Sequence, residues 1–475
     1  MHLDLIALVC LIFVTFGLIG SSIVDQLAGR ENPTRRWLLS PVTGLAAVVL
    51  LATVLSRTGI PVRTFGPYLI GALATVNVIY WLSRRTRLEW RSVALWGGGF
   101  LAVLLLVGWP LIVGGYDWIS QGNGDMAIYL LGAKHFYEHG YYQVPPLHEL
   151  MSEVDPSWDE SFYYSIGEVR SATQITVALF MSVSSLSAAQ SYTIVLLAIH
   201  LVMLAAVAAL VCSRAGRELV AFFALLVTGS AANFVRGTFL QLMPQDLGLA
   251  ALAACAVALL RRPEGNGAAY RQGVLAGIFL AAQLVVYPEL SPFIIFAVAL
   301  YATITLARRN LPVRRWLVFI GSAAATTLVG VNVSLPGALH LILWSANSSR
   351  AAAVQINLIF PYYFTPLGLA LGWGLAPMGN PETSSWQTQA SILAGGLLCL
   401  AALFVVVREA WRLEPAALVA APMILAVVPL CLEQNGFGLF KLAMYAQPFL
   451  LCVLTIAVWR MLLTSCPPDR ISAPA

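Results

Sequence analysis

Ionisable and aromatic side chains concentrate in one polar segment, residues 115–174, of an otherwise apolar chain. Nine of the 22 acidic residues lie there: Asp117, Asp125, Glu138, Glu149, Glu153, Asp155, Asp159, Glu160 and Glu168. Carboxylates accept hydrogen bonds from hydroxyl groups, and aromatic rings pack against the C–H faces of sugars, so this composition favours a polyhydroxylated ligand. The alternative is a solvated loop whose acids only keep it soluble.

Asp125 is the strongest candidate for acid–base chemistry in this segment. A Gly-Asn-Gly turn signal, residues 122–124, precedes it, and a helical pattern runs from Asp125 to about His139. The helix macrodipole favours an ionised carboxylate at that position, and an ionised carboxylate can serve as a general base. Asp125 could instead be a helix N-cap. Asp117, which lies closer to the preceding apolar run, is the second candidate catalyst.

A metal-binding pattern overlaps the end of the same predicted helix. Residues His135–His139 have the form H-x-x-E-H, the inverted motif of some zinc proteases. Such a short match arises by chance in a loop rich in His and Glu, and no soluble protease domain surrounds it, so proteolysis is not favoured. We assign no metal ligands. A divalent ion, magnesium or manganese, held by His and acids of this loop is the one cofactor that the sequence leaves open.

The elements that must position these residues are membrane helices. Of the 475 residues, 59% are hydrophobic and 10% are charged, whereas soluble domains are about 45–50% apolar and about 25% charged. This excludes a soluble globular protein, a disordered chain, a coiled coil and a disulfide scaffold. We predict an all-α polytopic integral membrane protein with about thirteen transmembrane helices. They lie near residues 4–24, 38–56, 67–83, 93–114, 188–213, 219–234, 244–261, 272–288, 291–307, 316–334, 390–407, 415–432 and 440–463.

The basic residues predict the orientation of the chain. With the loop before the second span on the cytoplasmic side, 20 of the 27 Lys and Arg residues face the cytoplasm, as the positive-inside rule requires. The N-terminus is then outside and the C-terminus cytoplasmic, in a plasma (inner) membrane. Two long loops, 115–174 and 335–389, are external. An apolar stretch in the second, Tyr362–Met378, is interrupted by Pro366 and two glycines and is predicted to be re-entrant or interfacial.

This topology divides the chain into four parts. Residues 1–92 hold three N-terminal transmembrane helices, and 93–334 form a transmembrane core that includes the acidic loop 115–174. Residues 335–389 are the second external loop, and 390–475 hold the C-terminal transmembrane helices and a short cytoplasmic tail. The spans carry few ionisable residues, which argues against a proton-coupled transporter. A P-loop and a dinucleotide-binding fingerprint are missing from the sequence, so a membrane-borne donor is favoured over a nucleotide sugar.

A span, an external loop with an acidic residue, and a helix of the form D-x-x-x-Y…A-x-x-F…G together resemble the opening of the GT-C glycosyltransferase superfamily. The matching residues are Asp125, Tyr129, Ala133, Phe136 and Gly140. The resemblance implies a GT-C-like fold in which the first-loop carboxylate is catalytic and the donor is a sugar on a polyprenyl phosphate. The family's loop usually follows the first span. Here it follows the fourth, so the three preceding helices would be an addition.

The resemblance further implies an inverting sugar transfer to a glycan, lipid or protein acceptor of the cell envelope, on the extracytoplasmic side. Asp125, or else Asp117, would take the acceptor proton. Cations must hold the departing phosphate, and the candidates are Arg236, Lys441 and Arg350. The candidates for substrate binding are Tyr129, His135, Glu168, Arg170, Tyr287 and Glu289.

Several alternatives stay open at this point. The external cations could snorkel to lipid headgroups, and Glu289 could bind an acceptor hydroxyl, pair with Arg236 or be a turn residue. An O-antigen-type polysaccharide polymerase or ligase would depend on Arg236 and Arg350 more than on Asp125. A non-enzymatic transporter or flippase for lipid-linked sugars is the third function. The basic clusters are short and adjoin apolar runs, so the expected partners are the lipid bilayer, donor and acceptor, and not a nucleic acid.

Overall fold

A computed structural model describes residues 2–28, 32–84, 90–118, 124–152, 155–158, 170–213, 216–262, 265–308, 313–343, 360–376 and 384–465, and every element in these ranges is helical. The first seven helices are α1 (Leu3–Leu27), α2 (Pro33–Ser56), α3 (Val62–Arg84), α4 (Trp90–Gly114), α5 (Gly124–Glu138), α6 (Leu147–Ser152) and α7 (Ala172–Ser184). The next seven are α8 (Ala188–Val211), α9 (Glu218–Gly229), α10 (Ala232–Phe239), α11 (Met243–Leu259), α12 (Asn266–Val286), α13 (Ser291–Ala307) and α14 (Val313–Val331). The last four are α15 (Leu367–Leu371), α16 (Trp386–Trp411), α17 (Pro415–Leu432) and α18 (Gly436–Ser465).

The prediction of an all-α polytopic membrane protein is confirmed. Within the described ranges, 11 helices are long and apolar enough to cross a bilayer, and a twelfth if α9 and α10, which meet at a bend of 54°, form one broken span. The predicted span near 244–261 is the 17-residue helix α11, which is shorter than the others. The predicted number of thirteen therefore stays a prediction.

The sequence did not predict α7, a 13-residue apolar helix between the acidic loop and the next span. Residues 172–179 of α7 are all buried against the bundle. Residues 335–343, at the start of the predicted second loop, are still helical, and the candidate span that begins with α14 extends to Leu343. Farther along, residues 360–376 contain a 3-10 turn, Pro361–Phe364, and the five-residue helix α15, both too short to span.

Helix α8 lies at the centre of the bundle. It is apolar on all sides, and such a helix is stable only where neighbours surround it; every residue from Ser191 to Val211 is buried. Its neighbours include α1, α2, α7, α9 and α11. Polar residues of its first turns, among them Tyr192, therefore lie inside the protein at the end that carries α5 and α6, which we call the loop end.

Two glycines bring α1 and α2 into backbone contact. A Cβ atom at Gly20 would lie 1.9 Å from the Ser40 carbonyl oxygen, and one at Gly44 would lie 1.9 Å from the Phe16 carbonyl oxygen. Small residues at a helix crossing allow this approach, and van der Waals packing then holds membrane helices together.

We expect Gly44→Ala to lower the free energy of unfolding by about 1–3 kcal/mol or more, because the added methyl group must push the two backbones apart. Gly71→Ala in α3 is the matched control, since no atom lies within 4 Å of its Cβ position, and alanine favours a helix. Denaturant titration of the detergent-solubilised protein measures both. Equal stability of the two variants would contradict the close crossing.

Candidate functional site

Helix α5 places Asp125 at the loop end, in its first turn and exposed to solvent. The helix is fixed by its opposite face, where Met126, Tyr129, Ala133 and Phe136 are buried at helical spacing. This face packs against α7, α8 and α3. The helix predicted from Asp125 to about His139 is thus present, as Gly124–Glu138. Asp117 ends a single 3-10 turn after α4, and its side chain lies outside the described part of the chain.

A cluster of side chains from four separate segments lies next to Asp125, and we call it the arginine–tyrosine cluster: Tyr129, Arg170, Tyr287, Glu289 and Tyr445. Arg170, just before α7, forms an ion pair with Glu289. Only 20% and 15% of these two side chains are exposed, and a pair so shielded is screened far less than a surface pair. Glu289 therefore has a partner, but the partner is Arg170 and not Arg236.

Tyrosines enclose this ion pair on several sides. The Arg170 guanidinium lies 4.6 Å from the centre of the Tyr287 ring, a cation–π contact. The Tyr129 side chain hydrogen-bonds to Arg170, and burial raises the pKa of the Tyr129 hydroxyl, so it stays protonated. Tyr129 also stacks on Tyr192 of α8, with the ring centres 6.3 Å apart.

The hydroxyl groups of Tyr287 and Tyr445 lie 2.7 Å apart and are buried. We expect Tyr445→Phe to lower the free energy of unfolding by about 1–3 kcal/mol, because the Tyr287 hydroxyl would lose this buried partner. Tyr270→Phe is the control, since Tyr270 is 58% exposed. Thermal unfolding in detergent measures both, and an unchanged midpoint for Tyr445→Phe would count against the hydrogen bond.

Lys441, in the second turn of α18, lies beside this cluster. Arg170, Glu289 and Asp125 all act electrostatically on its ammonium group. The ammonium nitrogen lies 4.5 Å from the centre of the Phe437 ring. Since Glu289 neutralises Arg170, Lys441 is the cation of this group that is left for an anionic ligand.

The other predicted residues have different surroundings. The guanidinium of Arg236, on α10, lies 5.8 Å from the centre of the Phe440 ring. Phe440 is the residue that precedes Lys441 in α18. His135 belongs to α5, and its side chain is fully buried. Glu168 and Arg350 lie outside the described residues, so their predicted roles stay predictions.

A second group of ionisable side chains surrounds the C-terminal end of α5. His139 Nε2 lies 3.9 Å from Asp155 Oδ2 and 4.0 Å from Glu138 Oε2. Burial lowers the pKa of His139 and, together with the charge of His139, lowers that of His135 to about 4. Burial opposes ionisation of Asp155, but hydrogen bonds from Lys134 and Ser157 outweigh it and lower the Asp155 pKa to about 2. At neutral pH the group thus holds neutral imidazoles beside an ionised Asp155.

Sequence reasoning missed a polar chain inside the bundle. His200 Nδ1 lies 2.9 Å from Thr238 Oγ1, and that hydroxyl donates to Asp246 Oδ2 at 3.1 Å. All three residues are at most 2% exposed. The signal that could have revealed it was Asp246 at the start of an apolar run, since an acid inside a membrane helix is costly unless it has a use or a partner.

A small, partly open cleft lies at the opposite end of the bundle, away from the arginine–tyrosine cluster. Its lining includes four arginines, Arg35, Arg261, Arg262 and Arg271. Four of the basic residues that the sequence predicts on the cytoplasmic side therefore line the same cleft.

No family model matches this chain, and no curated protein or solved structure is significantly similar to it.

Proposed function

We propose that the chain is a membrane glycosyltransferase of the GT-C type, which transfers a sugar from a polyprenyl-phosphate-linked donor to a cell-envelope acceptor on the external side of the membrane. One observation carries the proposal. An exposed carboxylate, Asp125, lies in the first turn of a helix, close enough to act electrostatically on the Lys441 ammonium, and Tyr129 one turn later belongs to a buried cluster of aromatic and ionic side chains. A base next to a cation is the pair that an inverting transfer from a phosphate requires.

The reaction assigns one role to each group. Asp125 accepts the proton of the acceptor hydroxyl as its oxygen attacks the anomeric carbon from the side opposite the phosphate. The bond between the anomeric carbon and the phosphate oxygen breaks, and both of its electrons leave with the polyprenyl phosphate. Lys441 stabilises the charge that builds on this phosphate, and Arg236 adds a second cation nearby. The exposed Asp125 is open to an acceptor from outside the membrane.

The arginine–tyrosine cluster supports this chemistry by holding its parts in place. Arg170 links the segment before α7 to Glu289 between α12 and α13, and Tyr129 connects both to α5. A site built on packed helices keeps a fixed geometry, which is what positioning of an acceptor over a donor needs. We assign Arg170, Tyr287 and Glu289 to positioning, because the ion pair already satisfies both charges.

The test is a transfer assay with the purified full-length protein in liposomes. A panel of undecaprenyl-phosphate monosaccharides, each with a labelled sugar, is offered with membrane lipids and cell-wall glycan as acceptors. The proposal expects labelled glycan or glycolipid and one free polyprenyl phosphate for each sugar transferred. If no donor in the panel yields a new glycosidic bond under conditions in which the protein stays folded, the enzyme assignment fails.

A flippase for lipid-linked sugars is the second candidate, and Asp246 favours it. This buried acid, linked to Thr238 and His200 inside the bundle, is the kind of group that marks a transport path. The same liposomes separate the two functions, because a flippase moves the labelled donor to the outer leaflet without forming a new bond. Loss of that movement in Asp246→Asn, with Asp125→Asn unaffected, would support the flippase.

A further inference from the structure

The end of α5 carries a group of metal-ligand side chains that the proposed transfer reaction does not use. Single ligand atoms of Glu138, His139 and Asp155 all lie within 4.8 Å of one another. The site starts 13 residues beyond Asp125, which is about 20 Å along the helix at a rise of about 1.5 Å per residue. It is therefore separate from the candidate base and independent of the proposed function.

The geometry is that of a site slightly open around an ion. Zinc binds imidazole nitrogen at about 2.0–2.1 Å and carboxylate oxygen at about 2.0–2.2 Å, so two ligand atoms on a tetrahedral ion lie about 3.3 Å apart. His139 Nε2 is 3.9 and 4.0 Å from the two carboxylate oxygens. Closing the two gaps to His139 needs a movement of about 0.3 Å per atom. The Glu138 and Asp155 oxygens lie within 4.8 Å of each other.

His135 supplies a second, independent observation. Its side chain is fully buried, and neither ring nitrogen has a hydrogen-bond partner among the described residues. It lies one helical turn before His139 on the same face, with the ring centres 5.4 Å apart. A buried imidazole with both nitrogens unsatisfied is rare and indicates an ion or water that completes it. The buried, unsatisfied His135 ring thus lies next to the group of ligand atoms.

The orientation of Asp155 also suits a ligand. Its Oδ1 atom accepts hydrogen bonds from Lys134 Nζ and from the Ser157 backbone amide, both at 2.9 Å. The other oxygen, Oδ2, is the one that faces His139. Outer hydrogen bonds of this kind fix the orientation of metal-binding carboxylates.

We infer that Glu138, His139 and Asp155, with His135 beside them, form a binding site for one first-row divalent cation, zinc or manganese. Mixed imidazole and carboxylate donors suit these ions better than magnesium or calcium, which prefer oxygen alone. The ion would join the last turn of α5 to the turn Pro156–Trp158 and so fix the polar segment against the bundle. The Trp158 ring already stacks on His139, with the ring centres 3.8 Å apart.

The test measures the metal content and the metal affinity of the full-length protein, which is purified in detergent with a tag that lacks histidine. After dialysis against zinc or manganese, we expect about one ion per chain by mass spectrometry. Loss of even an outer hydrogen-bond partner weakens such sites by about 10–100-fold, so His139→Ala and Asp155→Asn should weaken binding at least that much. Cobalt, used as a visible probe, should give ligand-field bands in the wild type that both variants lose.

His148→Ala is the matched control, because His148 lies in the same segment beside Glu149 but is 81% exposed at its side chain. It should bind the ion as the wild type does. Hydrogen exchange of residues 155–158, measured with and without zinc, gives a readout apart from any activity. The inference is overturned if the wild type retains no more ion than His139→Ala, if His148→Ala loses it equally, or if zinc leaves exchange unchanged. Since Asp125 is not involved, failure here leaves the transfer proposal standing.

Discussion

Asp125→Asn is expected to reduce sugar transfer by roughly 10²–10⁴-fold, the usual contribution of a general base. The substitution is informative because asparagine has the same size as aspartate and can make similar hydrogen bonds in the first turn of α5. It keeps the start of α5 and removes only the negative charge that takes up the proton. The turnover number should fall at saturating donor, while the thermal unfolding midpoint stays close to that of the wild type.

Asp4→Asn is the matched control for this experiment. Asp4 is also an exposed acid in the first turn of a helix, and it accepts a hydrogen bond from Tyr116 at 2.9 Å. Asp4→Asn should retain full transfer. If Asp125→Asn does so as well, Asp125 is a cap and not the base. If instead its unfolding midpoint falls together with its activity, the loss is structural and the Asp125 assignment has to be given up.

Glu414→Gln is expected to lower the free energy of unfolding by about 3–5 kcal/mol, because it leaves buried arginines without their counter-charge. Glu414 has no exposed surface and accepts two hydrogen bonds from Arg217, at 2.9 and 3.1 Å. Arg460 contacts it at 3.0 Å and also pairs with Glu409, a second fully buried carboxylate. The network joins α17 to α16, α18 and the start of α9, at the end of the bundle opposite Asp125.

The control for Glu414→Gln is a substitution in the ion pair Arg36–Asp25, which is more exposed. The Arg36 side chain is 29% exposed and that of Asp25 is 33% exposed. Exposed ion pairs contribute about 0–1 kcal/mol, so Asp25→Asn should change stability little, even though Tyr80 also donates to Asp25. Denaturant titration in the same detergent measures both variants. A cost for Glu414→Gln no larger than for Asp25→Asn would show that water reaches the network. Because the network is remote from Asp125, transfer by the folded fraction should not change.

The sequence by itself determined the membrane character of the chain and the start of α5 near Asp125, and it singled out Glu289 as an acid between two apolar runs while leaving its role open. These follow from local quantities: hydropathy over a span, apolar spacing along one helix, and the cost of an isolated charge in an apolar run. Helix α5 illustrates this, since the helical pattern that runs from Asp125 to about His139 is a helix from Gly124 to Glu138.

Only the tertiary structure decided which residues meet. The partner of Glu289 is Arg170, 119 residues away in the chain, and Tyr445 is 158 residues from Tyr287. Apolar helices give no sign of which neighbour they select, because packing between them depends on shape more than on hydropathy. The same reason kept α7, the bend between α9 and α10 and the chain from His200 to Asp246 out of the sequence prediction. Hydropathy gives the depth of a residue in the membrane, and helix packing gives its neighbours.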